Sequence, residues 1–342
     1  MAGFRNRFIK MFNILGNSIP SKFLLNITNQ RLIFPFYHII SDENVPHIKH
    51  LYSIKNEKKF TQDLDFLLKL YEPIDFISLQ ELNLKKKRPG KPSFLLTFDD
   101  GLKEFHDVVA PILIKKGVPA VCFLNSGFID NKDLFYRYKT SLLIDYLENN
   151  PKILTDKNVI DWISAQSNGE KDFKKLLLSI SYQNKNYLDD LANLINYNFK
   201  DYLSINKPYL TSNQINSLKN SGFHFGAHSV DHPEYRFLDF DEQIRQTKES
   251  IETICTQFSL DYKTFSFPFT DYEVSRQFFD KIHNEHIVDI TFGCAGQKKE
   301  VFSNHFQRIS FEMDDLSAKE IYNTELLYFI VKALMGKNTI KR

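Results

Sequence analysis

Two short stretches carry residues whose types and spacing could do chemistry. The first is FLLTFDDG (94–101), an apolar run that ends on Asp99, Asp100 and a glycine permitting a tight turn. One aspartate there is explained as a cap for a helix starting in GLKEFHDVV. Two are not, because like charges leaving one strand end together repel, and a shared cation would relieve that repulsion. The second stretch is GAHSVDHP (226–233), where His228 and His232 are spaced H-x3-H. A segment this short can present two imidazoles to one ion, and zinc accepts imidazole nitrogen together with carboxylate oxygen. No glutamate follows the first histidine, so this is not an H-E-x-x-H metalloprotease helix. In a chain with ten histidines the spacing alone is weak. Its weight comes from lying at the end of FHFGAHS, a second predicted strand.

The elements that must position these residues follow a β/α rhythm. Strands are predicted in RLIFPFYHII, SFLLTF, PAVCFLNS, FHFGAHS, TFSFPF, IVDITFG and RISFE. Between them, EKKFTQDLDFLLKLYE places Phe60, Leu64, Leu67, Leu68 and Tyr71 on one helical face. EFHDVVAPILIKKG reads as a helix stopped at Gly117. TSNQINSLKNSG has capping-box spacing at Thr211 and Gln214. Further helices are predicted in DEQIRQTKESIETICTQF, SRQFFDKIHNEH and from about Ala318 to Leu334. About seven β/α pairs point to a parallel barrel, which keeps its chemistry in the loops after the strands' C-terminal ends. The expected organisation is an extension over 1–30, a barrel over 31–317 with a mostly helical insertion at about 130–210, and a closing helix and tail over 318–342.

Composition narrows the function. Lys and Arg total 44 against 42 Asp and Glu, which gives no reason to expect nucleic acid. Cys122, Cys255 and Cys294 are scattered without CxxC spacing, so neither a disulfide framework nor a thiolate zinc site is expected, and a reducing compartment fits them. No apolar run approaches the ~18–20 residues of a membrane span. The N-terminal stretch is not read as a secretory signal. It places Phe4, Phe8, Met11, Phe12 and Leu15 near one helical face beside Arg5, Arg7 and Lys10. Such a helix either packs on the barrel or rests peripherally on an anionic membrane. The expected location is the cytoplasm, extending to the inner face of the membrane.

LTFDDG and HSVDH together resemble the polysaccharide deacetylases of carbohydrate esterase family 4, the NodB homology domain, with motifs T-F-D-D-G and H-[ST]-x-x-H. The similarity spans roughly 34–130 and 208–312. It implies an α/β fold, a distorted (β/α)7 barrel, holding one divalent metal. By that resemblance Asp100, His228 and His232 are the metal ligands and Asp99 is the general base. The metal lowers the pKa of its water from about 15.7 toward roughly 7, and the free carboxylate takes that water's proton. The implied ion is zinc, with cobalt, nickel or iron as alternatives.

The chain departs from the family pattern in two places. In the third motif, R-x-P-[FY], SFPF keeps Pro268 and Phe269 but has Ser266 where arginine stands. Arg308 in FQRISFE is the candidate substitute, and the Phe269 backbone N–H is expected to face the developing oxyanion. The fifth motif, L-x-x-H, is absent, and no histidine follows His305. A branch resembling the poly-N-acetylglucosamine deacetylases has a permuted order, with this histidine in an N-terminal Y-H pair. Tyr37-His38 supplies one, so His38 is the expected acid for the leaving amine, with His305 in reserve. His106 is expected to pack or be exposed, and His47, His50, His283 and His286 to lie on loop or helix surfaces.

The implied reaction is removal of acetyl, from nitrogen before oxygen, from an amino sugar in a polymer, glycolipid or lipid-linked precursor. Two rivals stand beside it. One is a carbohydrate-binding descendant that keeps the metal but not turnover. The other is a metal-free glycosidase pairing Asp99 with a second carboxylate, for which no strand-end partner is evident.

Overall fold

The computed structural model of the chain describes residues 2–166, 169–170, 172–313 and 316–342. Its strands are shorter than the apolar runs that encode them. RLIFPFYHII forms β1 (Leu32–Ile33) and β2 (Pro35–Tyr37), followed by β3 (Glu72–Pro73). SFLLTF forms β4 (Ser93–Phe94) and β5 (Leu96–Phe98). After these come β6 (Ala120–Leu124), β7 (His224–Ala227), β8 (Thr264–Ser266), β9 (Ile290–Gly293), β10 (His305–Gln307) and β11 (Ile309–Ser310). The split at residue 34 precedes Pro35, which has no N–H to donate to a ladder. The split at Leu95 falls where the run exchanges neighbours: β4 pairs with β1 and β3, whereas β5 pairs with β2 and β6.

Eight of these strands form one parallel sheet in the order β10-β9-β8-β7-β6-β5-β2-β11. Its two edge strands are consecutive in the chain, separated only by Arg308. One extended segment therefore pairs with β9 through its first half and with β2 through its second. That segment closes the ring. The barrel has the expected seven staves, and an eighth strand is counted because the closing stave changes partners at Arg308.

The helices follow the predicted periodicity. In chain order they are α1 (Ala2–Ser18), α2 (Ser21–Thr28), α3 (Glu57–Leu70), α4 (Phe76–Leu84) and α5 (Ala110–Lys116). The stretch 130–210 supplies α6 (Tyr136–Asn149), α7 (Lys157–Gln166), α8 (Phe173–Ser179), α9 (Asn186–Leu194) and α10 (Phe199–Asn206). Last come α11 (Ser212–Asn220), α12 (Phe240–Phe258), α13 (Arg276–Asn284) and α14 (Ala318–Leu334). Helix α3 buries Phe60, Leu64 and Leu67 completely. Thr211 and Gln214 complete the capping box of α11. Helix α5 is preceded by a π-helical turn, Phe105–Val109. Pro111 accounts for it, because its ring cannot pass the carbonyl one turn back without widening the helix. Helices α6 to α10 share an apolar core of their own, in which Leu143, Leu177 and Leu188 are fully buried, and it joins the barrel top through Ile39 and Leu102.

Helix α1 packs against α14. Ile9 is fully buried, Phe8 lies 5.0 Å from Tyr328, and Arg5 Nε donates to Glu325 Oε2 at 2.8 Å. A Cβ on Gly16 would come within 2.5 Å of Thr324 Oγ1. The buried stripe is thus centred on Arg5 and Ile9, while Phe4, Met11 and Leu15 of the expected apolar face stay exposed. Among the described residues, no helix is long and apolar enough to cross a membrane.

A buried ion pair ties three elements beneath the barrel mouth. Asp63 on α3 accepts from Lys55 Nζ at 2.5 Å, from Tyr37 OH at 3.0 Å and from the Ala318 N–H at 2.7 Å. Removing one partner leaves the other charge uncompensated in the interior, at about 3–5 kcal/mol. Asp63→Ala should lose stability of that order in urea unfolding; a change below about 1 kcal/mol would show that the pair contributes little.

Candidate metal centre and active site

The Asp99 N–H still donates to the Tyr37 carbonyl at 2.9 Å, so the chain leaves the ladder only at Asp100. Asp100 and Gly101 both take left-handed backbone, at φ 70° and 64°. A side chain at Gly101 would also press a Cβ to 2.7 Å from Leu124 Cδ2, which is why glycine stands there. The turn gives the two carboxylates different surroundings.

Asp100 faces the histidine segment. Its Oδ1 lies 3.2 Å from His232 Nε2 and 3.7 Å from His228 Nε2. Ligand atoms about 2.0–2.1 Å from a tetrahedral zinc ion are separated by roughly 3.3 Å, so the three atoms suit a single ion. Asp100 Oδ1 is buried and has no hydrogen-bond partner, which suits an atom that ligates a cation. His228 Nδ1 is 2.8 Å from the Ser266 carbonyl, an acceptor, so Nδ1 carries the proton and Nε2 presents its lone pair. Burial pulls the His228 pKa down to about 4, leaving the imidazole neutral, as a ligand must be. Burial disfavours charge on Asp100, but the two histidines and His38 override it and hold the carboxyl well below its usual range. The trio is buried and fits a divalent ion.

Asp99 has a different main partner, although its Oδ2 also lies 3.9 Å from His228 Nε2. Arg308 grips it with two parallel bonds, Nη1 to Oδ1 and Nη2 to Oδ2, both 2.7 Å. The same guanidinium donates to Ser266 Oγ at 2.6 Å and Thr97 Oγ1 at 3.1 Å, with Phe36 4.5 Å from its carbon. Arginine is therefore absent from β8 but present at the closing stave, and the small Ser266 side chain leaves room for it. Burial works against charge on Asp99, yet Arg308 and His228 keep its pKa below the ordinary carboxylate value.

His38 follows β2 at the barrel mouth. Its Nδ1 is 2.6 Å from Glu312 Oε2, while Glu312 Oε1 accepts from the His38 and Ile39 N–H groups at 2.8 and 2.9 Å. Burial would lower the His38 pKa, but Glu312, helped by Asp100 and Asp99, raises it to about 9. Phe269 takes φ 53° directly after Pro268, and its ring packs 4.7 Å from His232. Among the described residues the Phe269 N–H meets no acceptor. Beside these groups opens a cleft of about 620 Å³, lined among others by Phe36, Tyr52, Phe269, Glu312, Arg5 and Lys10. That is within the usual range for small-molecule sites.

The remaining histidines are elsewhere. His305 is buried on β10, its Nε2 3.1 Å from Asp271 Oδ2, in a separate group with Gln307, Glu300 and Arg342. His106 pairs with neighbouring Asp107 at 2.7 Å. His47, expected at a loop surface, is instead buried with its Nδ1 2.8 Å from Tyr202 OH, and His283 is half-buried against Asn304. Sequence reasoning missed Glu312 and Tyr138. Glu312 ends RISFE, and an acidic residue at a strand end was a signal of the same kind as Asp99. Tyr138, whose OH donates to Asp100 Oδ2 at 2.8 Å, gave no signal, since it is one of 16 tyrosines on an ordinary amphipathic helix.

Together these features define a parallel β/α barrel with a buried His-His-Asp cluster, of a composition that suits a divalent ion, at the C-terminal ends of its strands. The family model for polysaccharide deacetylase matches residues 86–279, more than half of the chain, so the chain belongs to that family. His38 and Arg308 lie outside the matched span. No curated protein matches the chain in sequence. Solved structures share the fold. The Streptococcus pyogenes deacetylase PplD, solved in complex with acetate, has a TM-score of 0.54 at 16% identity, over 86% of this chain and 97% of that one. The de-N-acetylase from Aggregatibacter actinomycetemcomitans gives 0.53 at 12% identity, over 86% and 99%. IcaB from Ammonifex degensii gives 0.52 at 13% identity, over 86% and 97%.

Elemental analysis of tag-free protein tests the cluster directly. The wild type should carry about one equivalent of a divalent ion after exposure to zinc, and His228→Ala/His232→Ala should carry none. Equal metal content in both would place the ion elsewhere.

Proposed function

We propose that this chain is a divalent-metal-dependent deacetylase that removes acetyl, from nitrogen before oxygen, from an amino sugar in a polymer or lipid-linked precursor. One observation carries the reading: two adjacent buried carboxylates have opposite kinds of partner. Asp100 is turned to the Nε2 atoms of His228 and His232, whereas Asp99, whose Oδ2 is also 3.9 Å from His228 Nε2, is held ionised by a guanidinium that bonds both its oxygens. A site that only bound metal or sugar would not need a second ionised carboxylate beside the first.

An ion held by Asp100, His228 and His232 would supply Lewis acidity toward an amide carbonyl and toward water; zinc suits the donors, and cobalt, nickel or iron are alternatives. The chain's own residues do the rest. Asp99 accepts the proton of the attacking water, and Arg308 fixes its orientation and keeps it anionic. The Phe269 N–H donates to the oxygen on which negative charge develops. His38, protonated and oriented by Glu312, gives its proton to the departing nitrogen. Arg308 and His38 thus occupy the two roles whose motif residues are missing from the sequence, which supports an enzyme over a non-catalytic descendant. A histidine directly after β2, the strand paired with the DD strand β5, also supports the permuted branch.

The deciding experiment is acetate release from N-acetylglucosamine oligomers and from lipid-linked N-acetyl amino sugars by the zinc-loaded protein. Asp99→Asn should lower turnover by about 10²–10⁴-fold while keeping zinc. No acetate from any acylated amino sugar with the wild type sinks the reading.

The His38–Glu312 pair fixes the sign of an alkaline limit. A general acid works only while protonated, so kcat/KM should hold below pH about 9 and fall above it. Glu312→Gln removes the charge that raises the His38 pKa, so the limb should move to lower pH. A limb that stays in place would exclude His38 as the acid.

A further inference from the structure

The insertion between β6 and β7 reaches every segment of the metal cluster. Tyr138 on α6 is fully buried, and its phenol donates to Asp100 Oδ2 at 2.8 Å. Its ring is held by Phe135 at 5.0 Å and by His47 at 5.0 Å, and Tyr209 stacks on it at 6.2 Å. Phe135 lies 4.2 Å from the ring of His232. Asp231, next to His232 in the chain, accepts from Tyr182 OH at 2.8 Å and from Lys185 Nζ at 2.5 Å, both supplied by the insertion. Where the insertion returns to the barrel, the Leu210 N–H donates to the Gly101 carbonyl at 2.9 Å, directly behind the aspartates.

These contacts act where the backbone is least comfortable. Asp100, Ser229 and His232 all have left-handed φ, at 70°, 69° and 62°, without being glycine. Backbone of this kind is costly for a residue with a Cβ and persists only where its surroundings over-determine it. The phenol also divides the Asp100 carboxylate. Oδ2 is occupied by a hydrogen bond, and Oδ1, the atom facing both Nε2 atoms, is the buried oxygen left without a partner.

We propose that Tyr138 is a positioning residue that fixes Asp100 as a one-oxygen metal ligand, and that the helical insertion is thereby part of the metal centre. This rests on the metal reading above but concerns a residue and a segment to which that reading assigns no role. A hydrogen bond to a ligating carboxylate sets which oxygen is offered and how basic it is, and loss of such a contact typically costs about 10–100-fold in metal affinity or activity.

The test is Tyr138→Phe, which keeps the ring and its packing and removes only the hydroxyl. Zinc affinity is measured by chelator competition, and the ligand field by the visible absorption of the cobalt-loaded protein. The variant should bind zinc about 10–100-fold more weakly and show altered cobalt bands, while the melting temperature of the metal-free protein stays near that of the wild type. Tyr182→Phe/Lys185→Met, which removes the insertion's hold on Asp231 and leaves only its bond from Gln246 at 2.8 Å, serves as the second variant and should weaken zinc binding without touching Asp100. Wild-type zinc affinity and unchanged cobalt bands in Tyr138→Phe would overturn the proposal and leave the deacetylase reading intact. A wild type that binds no zinc would overturn both.

Discussion

The structure depends on keeping two neighbouring carboxylates charged inside a protein. Each buried ion costs several kcal/mol unless it is paired, and side by side they repel. The fold gives each its own main partner, with His228 between them. Asp100 turns toward two imidazoles and a phenol, and Asp99 is gripped by both arms of Arg308. Arg308 is fully buried and stands at the one residue where the barrel closes. Its own N–H donates to the Gly293 carbonyl, and its carbonyl accepts from Gly296. The seam of the barrel and the counter-charge of Asp99 are thus the same residue.

Around that pair the mouth of the barrel is built from loops under conformational strain. Asp100, Ser229, His232 and Phe269 all adopt backbone that non-glycine residues avoid. Short strands fix where these turns begin, and neighbouring segments hold them in place. Asp271 shows the same economy: buried among His305, Gln307 and Arg342, it anchors the loop that carries Phe269. His305 therefore belongs to a supporting network and not to the chemistry of the metal cluster.

The order of β and α elements was legible because periodicity is a local property. Phe60, Leu64 and Leu67 bury themselves in any fold that offers α3 an apolar surface, and the capping box at Thr211 needs only its own four residues. Strand lengths were not legible. SFLLTF is one apolar run, but it exchanges neighbours at Leu95, and neighbours are not written in a run. The face of α1 was misjudged for a similar reason: Glu325 on α14 draws Arg5 inward, so the stripe rotates away from Phe4, Met11 and Leu15.

The sequence by itself determined the chemistry on offer: two adjacent carboxylates, two histidines one short turn apart, and a barrel's alternation of elements to hold them. Those are properties of contiguous residues, and contiguous residues keep their spacing however the chain folds. Only the tertiary structure decided that Arg308 grips Asp99 beside Ser266, that Glu312 charges His38, and that Tyr138 occupies one oxygen of Asp100. Each of these is a contact across tens to hundreds of residues, made when the barrel closes and the insertion docks on its mouth. No local pattern can encode such a contact.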